Sequence, residues 1–152
     1  MKNIKKILFP IDFSKVSPQI VPWVLLMAEK FEAEIHLLFV SRSFEHLAGV
    51  YVQIVSIENF QSEIIKGAET KIDEFANTYF KEYPTCKTKV TVGDAAEEIL
   101  AYIEKERIDL VVMGTHGRKG LERVLFGSVA ERVIKVSSRP VLSINPYKLS
   151  TA

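Results

Sequence analysis

The chain has 152 residues and a mass of 17.2 kDa, enough sequence for one domain with a substantial core. Hydrophobic residues make up 47% and charged residues 26%, and twenty basic against nineteen acidic side chains leave a net charge of +1, so nothing favours nucleic acid or an anionic membrane as a bulk partner. One cysteine, Cys86, excludes an internal disulfide and any multi-cysteine metal site. No apolar stretch is long enough to span a bilayer, and Met1-Lys2-Asn3-Ile4-Lys5-Lys6 leads into a run too short for a signal sequence, so a cytoplasmic protein is expected.

In chain order, residues 4–11 predict a first strand, with Ile7-Leu8-Phe9 at its centre and Pro10 near its end. Ser17-Pro18 reads as an N-cap followed by proline at the first helical position, and Val21, Val24, Leu25, Ala28 and Phe31 carry the helical period behind it. Trp23, on the apolar stripe of that helix, is expected in the core. Residues 34–40 read as a second buried strand. A long helix over residues 57–79 places Phe60, Ile64, Ala68, Ile72, Phe75 and Tyr79 on one face, and Pro84 stops it. Residues 85–92 alternate and are rich in threonine and valine, which predicts a third strand with a wetter face. Cys86 at its start reads as structural, with no basic partner nearby.

Asp94 and Glu97 form a capping box for a helix carrying Ile99, Leu100 and Ile103. Residues 110–113 are a fourth strand, a fourth helix follows Gly127, and Arg139-Pro140-Val141-Leu142-Ser143-Ile144 make a fifth strand. Strands alternating with helices along the whole length predict a single domain over residues 1–152. Its class is a parallel α/β sandwich with right-handed crossovers. Ligands in such sheets bind beyond the carboxyl ends of the strands, where strand order reverses. Pro10-Ile11-Asp12, Val40-Ser41 and the segment from Gly114 onward all fall at such ends.

The most informative segment joins the fourth strand to the fourth helix. Four of the seven glycines, Gly114, Gly117, Gly120 and Gly127, lie within fourteen residues there. Glycines let backbone N–H groups approach an anion closely, and a helix N-terminus adds unpaired donors and a favourable dipole. No Gly-Lys-Ser or Gly-Lys-Thr closes the loop, so it is not a Walker A motif, and its first two glycines are three apart, so it is not G-x-G-x-x-G.

The spacing Gly114-x2-Gly117-x9-Gly127-Ser128 resembles the ATP-binding signature of the universal stress proteins. The likeness extends through Val111-Val112-Met113-Gly114-Thr115-His116-Gly117-Arg118, Gly127-Ser128-Val129-Ala130-Glu131 and Arg139-Pro140-Val141-Leu142, and to the opening Ile7-Leu8-Phe9-Pro10-Ile11-Asp12-Phe13-Ser14. That resemblance implies a Rossmann-like, five-stranded parallel sheet ordered 3-2-1-4-5 with four flanking helices, and a homodimer joined through the last strands. It also implies an ATP site. Carried over by position, Pro10, Ile11 and Asp12 border adenine and ribose, and Val40 offers its backbone to the adenine edge. Met113 and Gly114 line the ribose side, and Gly117, Gly127, Ser128 and Val129 hold phosphates, with Thr115, His116 and Arg118 completing the loop. Ala130 stands where some relatives carry a hydroxyl.

Other roles remain open for these residues. Ser128-Val129-Ala130-Glu131 is itself a capping box, so Ser128 caps the helix in a reading compatible with phosphate binding. Asp12 reads either as a site residue or as a turn residue held by the following backbone. His116 reads as solvent-exposed or touching phosphate rather than catalytic. Arg118 and Lys119 either neutralise phosphate or are simply solvated. His36 and His46 lack metal-ligand spacing. Val141, Leu142 and Ile144 would form an apolar edge strand, which dimerisation would cover. The segment from Ala48 to Val55 is too apolar for an idle loop and suits a lid, a partner contact or buried packing.

The expected function is a nucleotide-responsive, homodimeric regulator that binds ATP, with Mg²⁺ or Mn²⁺ held through the phosphates and at most slow hydrolysis. The alternatives are a docking protein that uses no nucleotide, and a weak ATPase or nucleotidyl-transfer enzyme of a related fold. A phosphoacceptor domain would need an acidic pair after the first strand, where only Asp12 stands.

Overall fold

The computed structural model describes residues 3–47, 53–117 and 127–149. The apolar runs of the sequence become five parallel strands, β1 (Lys6–Ile11), β2 (Glu34–Ser41), β3 (Cys86–Val92), β4 (Leu110–Gly114) and β5 (Val141–Ile144), in the order β3-β2-β1-β4-β5. The described helices are α1 (Ser17–Phe31), α2 (Ile54–Tyr79), α3 (Ala95–Lys105) and α4 (Ser128–Val136), with a short 3₁₀ turn at Glu45–Leu47.

Alternation along the strands divides the core in two. Ile7, Phe9, Ile35 and Leu37 face α1 and α2, where they meet Ile20, Val24, Ala28 and Ile72. Leu8, Leu38, Val111 and Met113 face α3 and α4, against Ile99, Ile103, Ala130 and Val133. Both faces are covered, so the central strands read as continuous apolar runs.

The chain order explains the placement of the helices. The crossovers β1–α1–β2 and β2–α2–β3 step outward in one direction. The connection β3–α3–β4 then returns past β2 and β1, and right-handedness puts α3 and α4 on the opposite face. Strand order therefore reverses between β1 and β4. Asp109 clips these two strands together at their amino ends, its Oδ2 accepting the N–H groups of Lys5 (2.9 Å) and Lys6 (3.0 Å). Their register covers only Ile7↔Leu110 and Leu8↔Val111, whereas β1 and β2 stay paired from Lys6↔Glu34 to Ile11↔Phe39. Beyond Leu8 and Val111 the ladder between β1 and β4 ends, at the switch point where sheets of this order form a ligand cleft along the carboxyl edge.

Several local expectations need correction. Val16, not Ser17, is the N-cap of α1; Ser17 is its first residue, because its hydroxyl is drawn to Asp12 instead of capping. Helix α2 begins three residues earlier than the predicted residue 57, and Phe60 falls off the core face and packs edge-on against Phe44 at 5.3 Å. Trp23 is 40% exposed, because Val21, Val24 and Ala28 turn the buried stripe of α1 past it. Of the apolar segment from Ala48 to Val55, residues 48–52 lie outside the described residues, and Val55 belongs to the exposed face of α2. Cys86 begins β3 with its thiol pushed up to about 11 by burial, consistent with a structural role.

Candidate functional site

The cleft between β1 and β4 is bordered by the turn after β1, by the segment after β4 and by the first turn of α4. The turn after β1 is tightly built. Asp12 Oδ1 accepts the backbone N–H of Ser14 (3.0 Å) and the hydroxyl of Ser17 (3.1 Å), so the carboxylate is oriented by the chain that follows it. Between them Phe13 adopts φ 60, the left-handed region, and its ring stacks on Phe39 at 4.5 Å. The hydroxyl of Ser14 is buried and has no hydrogen-bond partner.

The segment after β4 is anchored at Thr115, which continues the sheet: its N–H donates to Ile144 O (2.8 Å) and its carbonyl accepts Gly127 N–H (2.6 Å). The two ends of the glycine loop are thereby tied together. Thr115 and His116 are both buried, and the His116 ring hydrogen-bonds Thr115 Oγ1 (2.8 Å) and packs edge-on against Tyr147. The expected exposure of His116 is thus overturned, because the turn after β5 folds over the ring.

Gly117 makes the closest approach. A Cβ there would collide with Asp12 Oδ2, so any other residue must push aside a carboxylate that Ser14 and Ser17 hold in place. Residues from the two sides of the cleft, 105 positions apart, meet at this point. A Cβ at Gly114 would sit 3.0 Å from His116 O, and one at Gly127 would sit 3.3 Å from Thr115 O.

Gly127 is the N-cap of α4, in an extended conformation with no side-chain hydrogen bond, and its carbonyl accepts Glu131 N–H (2.9 Å). Ser128 is the first helical residue and not the cap, which corrects the capping-box reading. The N–H groups of Ser128, Val129 and Ala130 have no intrahelical acceptor, the N-cap Gly127 supplies no side-chain hydrogen bond, and this end of the helix carries the positive pole of its dipole. Such an end accepts an anion readily.

The remaining predicted residues fall around these. Pro10 and Ile11 end β1, Ile11 buried against the α1 face. Val40 lies one residue beyond the last β1–β2 pair, and with Met113 and Val129 it belongs to the α3/α4 face. The cleft thus gathers Asp12, Gly117, Thr115 and Gly127 closely, while Val40 is placed by the sheet on the far side of β1. Arg118, with Lys119 and Gly120, lies outside the described residues. Among the described residues, no group of three or more His, Cys, Asp and Glu side chains is clustered to hold a metal ion. Ser14 and Ser17 were not singled out as site residues by the sequence; the signal was the Asp-x-Ser spacing of an Asx turn at a strand end.

The fold and the switch point together define a doubly wound α/β domain with a glycine-lined carboxyl edge. The chain belongs to the universal stress protein family, whose model matches residues 3–145. It is 35% identical over 150 residues to universal stress protein MJ0531 of Methanocaldococcus jannaschii, an alignment covering 95% of this chain and 84% of that protein. It is 33% identical over 156 residues to MJ0577 of the same organism, covering 92% of this chain and 94% of that one. A solved structure of MJ0577 superposes with a TM-score of 0.79 at 29% identity, over 95% of this chain and 97% of the other. A universal stress protein family member from Arabidopsis thaliana with AMP bound shares the fold, with a TM-score of 0.62 at 20% identity over 93% and 91% of the two chains.

Proposed function

We propose that this protein binds ATP in the cleft between β1 and β4 and works as a nucleotide-responsive, homodimeric regulator in the cytoplasm, with at most slow hydrolysis. One observation carries this proposal: Gly117 lies on the Asp12 carboxylate, two residues after Thr115, whose carbonyl holds Gly127 at the start of α4. That arrangement offers a hydrogen-bond acceptor for sugar hydroxyls and backbone donors for phosphates within one cleft. The AMP-bound plant relative supports an adenine nucleotide as the ligand class. The preference for ATP rests on the resemblance of the glycine spacing.

In this reading Asp12, Pro10 and Ile11 border ribose and adenine, the Val40 backbone meets the adenine edge, and Met113 and Gly114 line the ribose side. Gly117, Gly127, Ser128 and Val129 take the phosphates, together with Thr115, His116 and Arg118. Mg²⁺ or Mn²⁺ would be held through the phosphates and water. Homodimerisation would use the β5 edge. Replacing Gly117 with leucine tests the site: its side chain collides with Asp12, so ATP binding measured by titration calorimetry should be lost while the sedimenting species is unchanged. Wild-type affinity in Gly117→Leu would show that the cradle is misplaced.

A further inference from the structure

We infer that the Ser14 hydroxyl is a nucleotide contact, donating its hydrogen bond to a phosphate oxygen; this rests on the nucleotide reading of the cleft. A buried hydroxyl without a partner is unfavourable, and native proteins satisfy nearly all such groups. Ser14 Oγ is one of two such side-chain atoms among the described residues; the other, Thr91 Oγ1, lies on β3, away from the β1–β4 cleft.

The position of Ser14 is itself specified. Phe13 holds φ 60, which an aromatic residue rarely adopts, with its ring centroid 4.5 Å from that of Phe39. Ser14 N–H is fixed to Asp12 Oδ1, while Asp12 Oδ2 abuts Gly117. One turn therefore carries both Asp12 and Ser14 to the border of the cleft.

Chemistry divides the two residues. The Asp12 carboxylate only accepts hydrogen bonds, so it suits ribose hydroxyls and repels phosphate. A serine hydroxyl donates, and a phosphate oxygen only accepts. Around Ser14 the Asp12 carboxylate opposes an anion, and the start of α1 and Lys15 act against that repulsion. Helix α1 begins just beyond with no side-chain cap and no acidic residue in its first turn, and Lys15 follows Ser14 directly.

The test is calorimetric titration of wild type and Ser14→Ala with ATP and with adenosine, beside thermal unfolding of both ligand-free proteins. Loss of a charge-assisted hydrogen bond predicts an ATP affinity roughly ten- to hundredfold lower in Ser14→Ala. The variant's ligand-free melting temperature should be no lower than that of the wild type, because an unsatisfied hydroxyl has been removed. Adenosine, lacking phosphate, should respond equally in the two proteins. Unchanged ATP affinity, or a loss accompanied by a lowered melting temperature, would overturn the contact while leaving the nucleotide site standing. A wild type that binds neither compound would overturn the site and the contact together.

Discussion

At the scale of single residues, glycine is the informative letter, because its use leaves a trace in sequence that can be checked against space. Gly117 is required by the Asp12 carboxylate above it. Gly93 is required differently: its φ is 149, and a Cβ would lie 2.8 Å from Glu98 Oε1 and 3.0 Å from Glu98 Cγ. Gly93→Ala is therefore expected to destabilise the protein by about 1 kcal/mol or more, read as a lower urea midpoint, with the proposed nucleotide site untouched. A midpoint equal to wild type would contradict the strain. Other residues were less legible. Ser128 looks like an N-cap because Ser-x-x-Glu is the signature of a capping box, yet Gly127 takes the cap and shifts Ser128 inward. His116 looks exposed because it sits in a polar loop; its burial comes from Tyr147, thirty-one positions away. Local pattern carries no record of such distant cover.

At the scale of elements, β2, β3 and α3 are joined by a polar chain that periodicity did not reveal. His36, buried in β2, hydrogen-bonds Tyr102 Oη of α3 through Nδ1 (2.7 Å) and Glu34 through Nε2 (2.6 Å), and Lys87 of β3 lies 3.2 Å from the same Glu34 carboxylate. Burial holds His36 below its ordinary 6.5, against the pull of Glu34. A neutral imidazole fits the geometry, with Nε2–H donating to Glu34 and Nδ1 accepting from Tyr102, whose phenol is raised to about 12 chiefly by burial. Burial acts to raise Glu34, but its hydrogen bonds and attraction to His36 and Lys87 outweigh it, and the group sits below its ordinary 4.5.

Both shifts act in one direction. The unfolded chain protonates its histidine at about 6.5 while the folded chain resists, so stability falls as pH drops below that value. Glu34 adds a further loss as pH falls from about 4.5 through its lowered folded pKa. Urea midpoints at pH 7, 6 and 5 should therefore fall more steeply for wild type than for His36→Gln. Parallel slopes would refute the role of His36.

At the scale of the whole molecule, the parallel α/β layering was readable because apolar runs, turn signals and right-handed crossover leave few arrangements, whereas the order 3-2-1-4-5 came from the family resemblance and is the order the strands adopt. Boundaries were less so, as α2 shows by starting at Ile54. The β5 edge illustrates what topology adds. Pro140 and Ile144 direct their carbonyls to β4, accepting from Val111 and Thr115, so Val141 and Ser143, which alternate with them, present their backbone groups outward. Ile144 is part of the chain's own core, which leaves the outward backbone, with half-buried Val141 and Leu142, as the surface for the proposed dimer. Ser143→Pro removes one outward N–H and spares the β4 ladder. It should shift sedimentation from dimer toward monomer without loss of the fold; an unchanged dimer would place the interface elsewhere.

Binding of an adenine nucleotide between β1 and β4 is what the proposed function requires. The most direct measurement is to denature the purified protein, identify released nucleotide by chromatography, and titrate the stripped, refolded chain with ATP and Mg²⁺. Recovered adenine nucleotide, or saturable ATP binding, is the predicted result. A chain that releases no nucleotide and takes up no ATP at millimolar concentration would contradict it, and would make this family member a docking protein that uses no nucleotide.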